Sequence, residues 1–200
     1  MHSILVQHRV NTIRDLNNVP CDLGIEVDIR ECNGELICSH DPFQQGELFK
    51  DFLLHFKHKF LIANIKEEGI EKSVIGFLED FGIENYFLLD VSFPYIVKLC
   101  SDGIDKIALR VSDFEKLNLD LLKKLGLQWI WLDAFEKFPQ EELKQIEAYS
   151  AHNNIKVCLV SPELHMARAS LKSEQIHGQI RATNYSFDAI CSKESTLWQK

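Results

Sequence analysis

QHRVNTIRDLNNVPCDLGIEVDIRECNGELICSHDPF, running from Gln7 to Phe43, is the stretch on which the reading of this chain turns. It holds His8-Arg9, then Glu26-Val27-Asp28 inside the strand-like run Ile25 to Arg30, then a turn signal at Asn33-Gly34, then His40-Asp41-Pro42. Successive strand side chains point to opposite faces, so Glu26 and Asp28 project together while Ile25, Val27 and Ile29 fill the other face. Two carboxylates on one face, with two imidazoles nearby in sequence, make a kit for binding a metal and moving protons.

Outward from this stretch, short apolar runs alternate with longer amphipathic segments. Strands are expected at Ile4 to His8, Ile25 to Arg30, Phe60 to Lys66, Tyr86 to Val91, Lys106 to Val111, Trp129 to Ala134, Lys156 to Ser161 and Asp188 to Ser192. Apolar spacings of three and four predict helices over Gly46 to His58, Ile70 to Phe81, Tyr95 to Ser101, Asp113 to Leu125, Gln140 to His152 and His165 to Ile180, with a short or broken helix within Asn11 to Asp22. Apolar strands alternating with helices imply a parallel sheet built from right-handed crossovers, and eight repeats suggest a compact (β/α)8 barrel. Such barrels usually take about 250 residues, so the helices and loops must be short. The competing open doubly wound sheet would carry a glycine-rich turn after its first strand, and His8-Arg9-Val10-Asn11-Thr12 has no glycine.

Composition narrows the setting. The chain has 200 residues, 46% hydrophobic and 26% charged, with a net charge of −8, which suits a single soluble domain, residues 1–200, and argues against a nucleic-acid surface. The N-terminal run MHSILVQHRV lacks the cationic lead and length of a secretory signal, and no apolar run reaches the roughly 18 residues of a membrane span. A cytoplasmic location is therefore expected. The six cysteines contain no C-x-x-C pair and are read as free thiols.

The polar residues at the expected strand ends carry a family likeness. His8-Arg9, Gly24-Ile25-Glu26-Val27-Asp28-Ile29-Arg30, Asn33-Gly34 with Ser39-His40-Asp41-Pro42, and Ile65-Lys66 resemble, in order and spacing, the successive motifs of the glycerophosphodiester phosphodiesterase family. Leu89-Asp90-Val91-Ser92-Phe93 and the closing Asp188 to Ser192 are loosely similar to later family segments. Val10 stands where the family has glycine, and Asn64 where it has the third glutamate. The compressed opening His8 to Ile13 is also similar to that of sphingomyelinase D, which shares the barrel and closes a cyclic phosphate.

The resemblance implies a phosphodiesterase fold and a P–O bond as the target, with a small soluble glycerol- or sugar-linked phosphodiester as substrate. It makes Glu26, Asp28 and Asn64 the ligands of a divalent cation, Mg2+ or Ca2+ with Mn2+ also suitable, Asn64 supplying a neutral oxygen. His8 and His40 become general acid and base in either order. Arg9 and Lys66 become phosphate-binding cations. Arg110 is read either as a ligand for a distal anionic group or as an ion-pair partner of Asp90 or Asp133. Asn11 either bonds the phosphate or caps the first helix, and Asp41 either orients His40 or caps the loop before Pro42. The alternatives are a cyclising lyase and a catalytically degenerate barrel that binds a phosphorylated ligand. The histidines outside the cluster, His165 among them, are read as structural.

Overall fold

The structure is a computed structural model and describes residues 3–150, 152–167 and 170–198. The chain divides into two compact units, Val6–Ile107 and Ala108–Lys200 with Met1–Leu5. In the first, the end of β1 (Ile4–Gln7) pairs in parallel with β2 (Gly24–Cys32), Val6 against Gly24. On its other side β2 pairs with β5 (Phe60–Ile65), Asp28 against Asn64, and β5 pairs with β6 (Tyr86–Leu89). The helices α1 (Ile13–Asn18), α2 (Phe49–Leu54), α3 (Glu71–Asp80) and α4 (Phe93–Ser101) follow their strands in turn. β2 and β5 are buried along both faces from Gly24 to Ile29 and Phe60 to Ile65, which is why their side chains are apolar wherever they are not part of the polar cluster.

The second unit repeats the pattern. β7 (Ala108–Val111), β8 (Trp129–Leu132), β9 (Lys156–Val160) and β10 (Ala189–Ser192) pair in parallel in sequence order, and the Ile4 N–H donates to the Asp188 carbonyl. They alternate with α5 (Leu119–Leu125), α6 (Gln140–Ser150) and α7 (Leu171–Ala182). Together these elements are an α/β fold of the (β/α)8 type. All eight expected strands are present.

The differences lie in the loops. β2 continues past the barrel-type strand and turns at Asn33-Gly34 into an antiparallel hairpin with β3 (Glu35–Cys38), which in turn pairs with β4 (Glu47–Leu48). Asn33 and Gly34 both take left-handed backbone, φ 55° and 87°, the geometry of a tight hairpin turn. Because β4 claims Glu47 and Leu48, the helix expected from Gly46 begins only at Phe49. Phe49 and Phe52 then stack at 6.5 Å, with Phe77 edge-on to Phe49 at 6.3 Å, anchoring α2 and α3 in the core.

Two more predicted helices start late. The Ser112 hydroxyl accepts the N–H of Phe114 and Glu115, and Asp113 accepts the N–H of Phe135, Glu136 and Lys137, so residues 112–118 form a loop and α5 starts after Asn118, whose side chain accepts the Leu121 N–H. α7 starts after Ser170, whose hydroxyl accepts the Ser173 N–H, leaving His165 in a turn beyond β9; Arg168 and Ala169, in the predicted helix, lie outside the described residues. No disulfide is formed, and Cys38, Cys158 and Cys191 are buried as small side chains. Among the described residues no helix is long and apolar enough to cross a membrane.

Candidate functional site

The site grows from the middle of β2. Glu26 and Asp28 share a face of this strand and are 0% and 1% exposed, so two carboxylates lie in the low-dielectric interior of the first unit. Burial, then repulsion from Asp28, pushes the Glu26 carboxyl up to about 8. Surrounding donors offset that cost. Arg9 takes left-handed backbone, φ 58°, and this aims its N–H at Glu26 Oε2 at 2.6 Å while the next N–H, of Val10, reaches the Glu26 carbonyl at 2.8 Å. Val10 is itself buried apolar core.

From β5, Asn64 lies in register with Asp28 and donates its amide N–H to Glu26 Oε1 at 2.8 Å. Lys66, one residue past the strand end, places Nζ 3.3 Å from Asp28 Oδ1 and 3.5 Å from Asp90 Oδ2. Arg9 Nε lies 3.8 Å from Asp28 Oδ2, and His8 Nε2 lies 3.7 Å from Glu26 Oε2. Asn11 does not cap the first helix, one of the two roles the sequence leaves open for it; it holds Asp28. Its Nδ2 donates to Asp28 Oδ2 at 2.8 Å and its Oδ1 accepts the Asp28 backbone N–H at 2.9 Å, a two-point clamp on the carboxylate residue. The helix cap is Thr12, whose hydroxyl accepts the Asp15 N–H at 3.0 Å.

The hairpin delivers His40. Ser39 N–H donates to the Asp28 carbonyl at 2.9 Å, and Arg30 ties the loop down, with Nε on the His40 carbonyl and Nη1 on the Lys66 carbonyl, both at 3.1 Å. Arg30 is thus a strut between the ends of β3 and β5. His40 Nδ1 meets Asp41 Oδ1 at 2.7 Å, and this bond, aided by the cations Arg9 and Arg30, holds the Asp41 carboxyl below its usual range. Donation to a carboxylate requires the hydrogen on Nδ1, which leaves Nε2 as the working nitrogen of neutral His40. A cavity of about 520 Å³ opens beside these groups, lined by Arg9, Asn11, Thr12, Ser39, His40 and Gln44 among others.

His8, Arg9, Glu26, Asp28, Asn64 and Lys66 therefore converge in the first unit, with His40 on the cavity that Arg9 also lines. Arg110 belongs to the second unit, where its guanidinium donates to Asp133 and lies 3.8 Å from Glu115. Arg30 and Asn11 in their positioning roles escape a reading of strand ends, because one lies past the carboxylate pair on β2 and the other in a loop.

Among the described residues no group of three or more His, Cys, Asp or Glu side chains is arranged to hold a metal ion. The donor set here is two carboxylates and an amide. Asn64 Oδ1 is buried with no hydrogen-bond partner, so an oxygen ligand remains unmatched beside Glu26 and Asp28. An all-oxygen set of this kind fits a hard divalent cation, with less charge than three carboxylates would give.

No family model and no curated protein matches the chain. Among solved structures it is similar to a glycerophosphoryl diester phosphodiesterase from Parabacteroides distasonis, with a TM-score of 0.67 and 9% identity over 97% of this chain and 84% of that one. It is also similar to a glycerol uptake operon antiterminator-related protein from Thermotoga maritima, with a TM-score of 0.52 and 13% identity over 100% of both chains. At these identities the likeness is one of fold.

Proposed function

We propose that the Val6–Ile107 unit cleaves a P–O bond in a small, soluble, cytosolic phosphodiester linked to glycerol or a sugar. The observation that supports this reading best is the convergence of two buried carboxylates, two cations and an imidazole at adjacent strand ends, beside a polar cavity that a second imidazole lines. Arg9 and Lys66 bind the phosphoryl oxygens, Arg9 through a forked guanidinium and Lys66 as a point charge. Glu26, Asp28 and Asn64 hold a divalent cation, Mg2+, Ca2+ or Mn2+, which supplies Lewis-acid stabilisation of phosphoryl charge when bound.

His8 and His40 divide the proton transfers. One takes the proton of the attacking hydroxyl as the new P–O bond forms, and the other gives a proton to the leaving alkoxide as the old P–O bond breaks. When the attacking hydroxyl belongs to the substrate, the product is a cyclic phosphate that water then opens, with the same two imidazoles in exchanged roles. Asp41 keeps the His40 ring in the tautomer this requires.

One observation favours a second reading, ligand binding without turnover. Each oxygen of Glu26 and Asp28 already faces a nitrogen donor, from Asn64, Arg9, Lys66 or Asn11. A panel of glycerol- and sugar-linked diesters, incubated with Mg2+, Ca2+ or Mn2+ and followed by ³¹P NMR, separates the two. Turnover that is lost on chelation and in both His8→Ala and His40→Ala supports cleavage. Absence of turnover together with saturable diester binding supports the second reading, and turnover indifferent to both substitutions refutes the mechanism. A cyclic phosphate that accumulates and persists identifies a cyclising lyase.

A further inference from the structure

The cavity beside His40 holds more polar groups than the proton transfers use. It is lined by the loop after β1 and by the segment between β3 and β4, and its volume of about 520 Å³ lies in the range of small-molecule sites. Arg9 joins it to the carboxylate cluster. The Arg9 side chain is 47% exposed, its Nε faces Asp28, and its terminal nitrogens hydrogen-bond to no described residue. A phosphoryl group held by Arg9 thus has this cavity beside it for one of its two alcohols.

The lining suits hydroxyl groups. Among the described residues neither the Gln44 nor the Gln45 carboxamide has a hydrogen-bond partner. The Thr12 oxygen accepts the Asp15 N–H, while its own hydrogen goes to none of the described residues. Asp41 meets His40 through Oδ1 and Glu47 accepts the Ile13 N–H through Oε2, and the second oxygen of each carboxylate accepts from no described residue. A carboxamide both donates and accepts, matching a sugar hydroxyl, whereas an alkyl chain would strip water from these groups and replace none of its bonds. Between the lining residues Asp41 and Gln44, Phe43 takes left-handed backbone, φ 63°, and its side chain is fully exposed. A bulky side chain rarely adopts that backbone, and such strain gathers at ligand clamps. The exposed ring offers its negative face to the polarised C–H bonds of a sugar.

We infer that this cavity holds the sugar of a sugar-linked phosphodiester, its hydroxyls hydrogen-bonded to Thr12, Gln44 and Gln45 and its C–H face against Phe43. Glycerol joined to phosphate keeps two hydroxyls, too few for the uncommitted groups here, whereas a hexose keeps four. The assignment rests on phosphodiester cleavage in the first unit and narrows the alcohol to a sugar.

The test is calorimetric titration of the full chain with inorganic phosphate, ethyl phosphate, glycerol 3-phosphate and glucose 1-phosphate, at one pH, Mg2+ concentration and ionic strength. Glucose 1-phosphate should bind about tenfold more tightly than ethyl phosphate, with glycerol 3-phosphate between them, from about two net hydrogen bonds. The double variant Gln44→Ala/Gln45→Ala should lose that advantage and bind inorganic phosphate as wild type does. Phe43→Gly relieves the left-handed backbone, so it should unfold at a higher temperature than wild type yet bind glucose 1-phosphate several-fold more weakly, a combination that a merely structural residue would not give. Glucose 1-phosphate no tighter than ethyl phosphate, or an affinity undiminished in the folded double variant or in Phe43→Gly, would overturn the inference while inorganic phosphate still reports the phosphoryl site. A chain that binds none of the four overturns it too, and the ³¹P NMR panel tests cleavage separately. The wild-type series decides even where a variant does not fold.

Discussion

Asn11→Ala is the substitution that probes the construction of the carboxylate cluster most selectively. The Asn11 amide makes two hydrogen bonds to one residue, donating to Asp28 Oδ2 at 2.8 Å and accepting the Asp28 N–H at 2.9 Å. Asp28 is 1% exposed, so both partners are left in the interior. An unmatched buried N–H costs about 1–3 kcal/mol and a lost bond to a charged group about 1.5–3 kcal/mol. Water entering from the cavity that Asn11 lines offsets part of the sum, leaving a net loss of about 3 kcal/mol. In urea unfolding, with a slope of about 2–3 kcal/mol/M, the midpoint should fall by about 1 M with the slope unchanged. Thr12→Ala, which removes only the helix cap next door, should lose about 1 kcal/mol. An Asn11→Ala protein within about 0.5 kcal/mol of wild type would show that the clamp adds nothing and that Asp28 is held by Arg9 and Lys66 alone.

Other perturbations test other parts. Asn64→Glu adds a negative charge to the oxygen set, so calorimetric titration should show tighter Mn2+ binding than wild type; an unchanged affinity would remove residue 64 from the cation site. A Cβ at Gly46 would collide with the Cys38 carbonyl oxygen at the start of the β3–β4 pair, so Gly46→Ala should displace the loop that carries His40, seen as a shift of the His40 ring signals, and identical spectra would refute this. Burial opposes ionisation of Asp113, yet the N–H groups of Phe135, Glu136 and Lys137 win and hold its carboxyl below the usual range. A carboxyl depressed in the folded state stabilises above its unfolded pKa of about 3.9 and loses that contribution as pH falls through the folded value. Asp113→Asn should therefore be less stable than wild type at pH 7, the gap closing below about pH 4; a gap that is constant with pH would refute the assignment.

The parallel architecture is legible in the chain because strands buried on both faces must be largely apolar, and Trp129 to Leu132 satisfies that over its whole length, Phe60 to Ile65 at every position but Asn64. Their predicted ends run one or two residues too far, since Lys66, Asp90, Asp133 and Ser161 continue the alternation past the last residue of the strand; at Asp90 a left-handed φ of 58° ends the strand. The hairpin of β3 and β4 is harder to see. Asn33-Gly34 announces the turn, but β4 is two residues long, and Glu47 and Leu48 fit a helix start equally well. Within the site, Glu26 and Asp28 are visible from spacing and family likeness. Asn11 is visible as a polar candidate, but its role as a clamp is not, because that depends on a contact 17 residues away. The pairing of His165 with Asp133 is hidden likewise, the two being 32 residues apart and joined only through the fold.

The cation site is the point on which the functional account rests most heavily, and crystals of the chain soaked in Mn2+ with inorganic phosphate test it most directly. The account predicts one anomalous peak bounded by the carboxylates of Glu26 and Asp28 and the amide oxygen of Asn64, with phosphate against Arg9 and Lys66. A map without a peak there at saturating Mn2+, with the Asn64 amide still donating to Glu26, would contradict it.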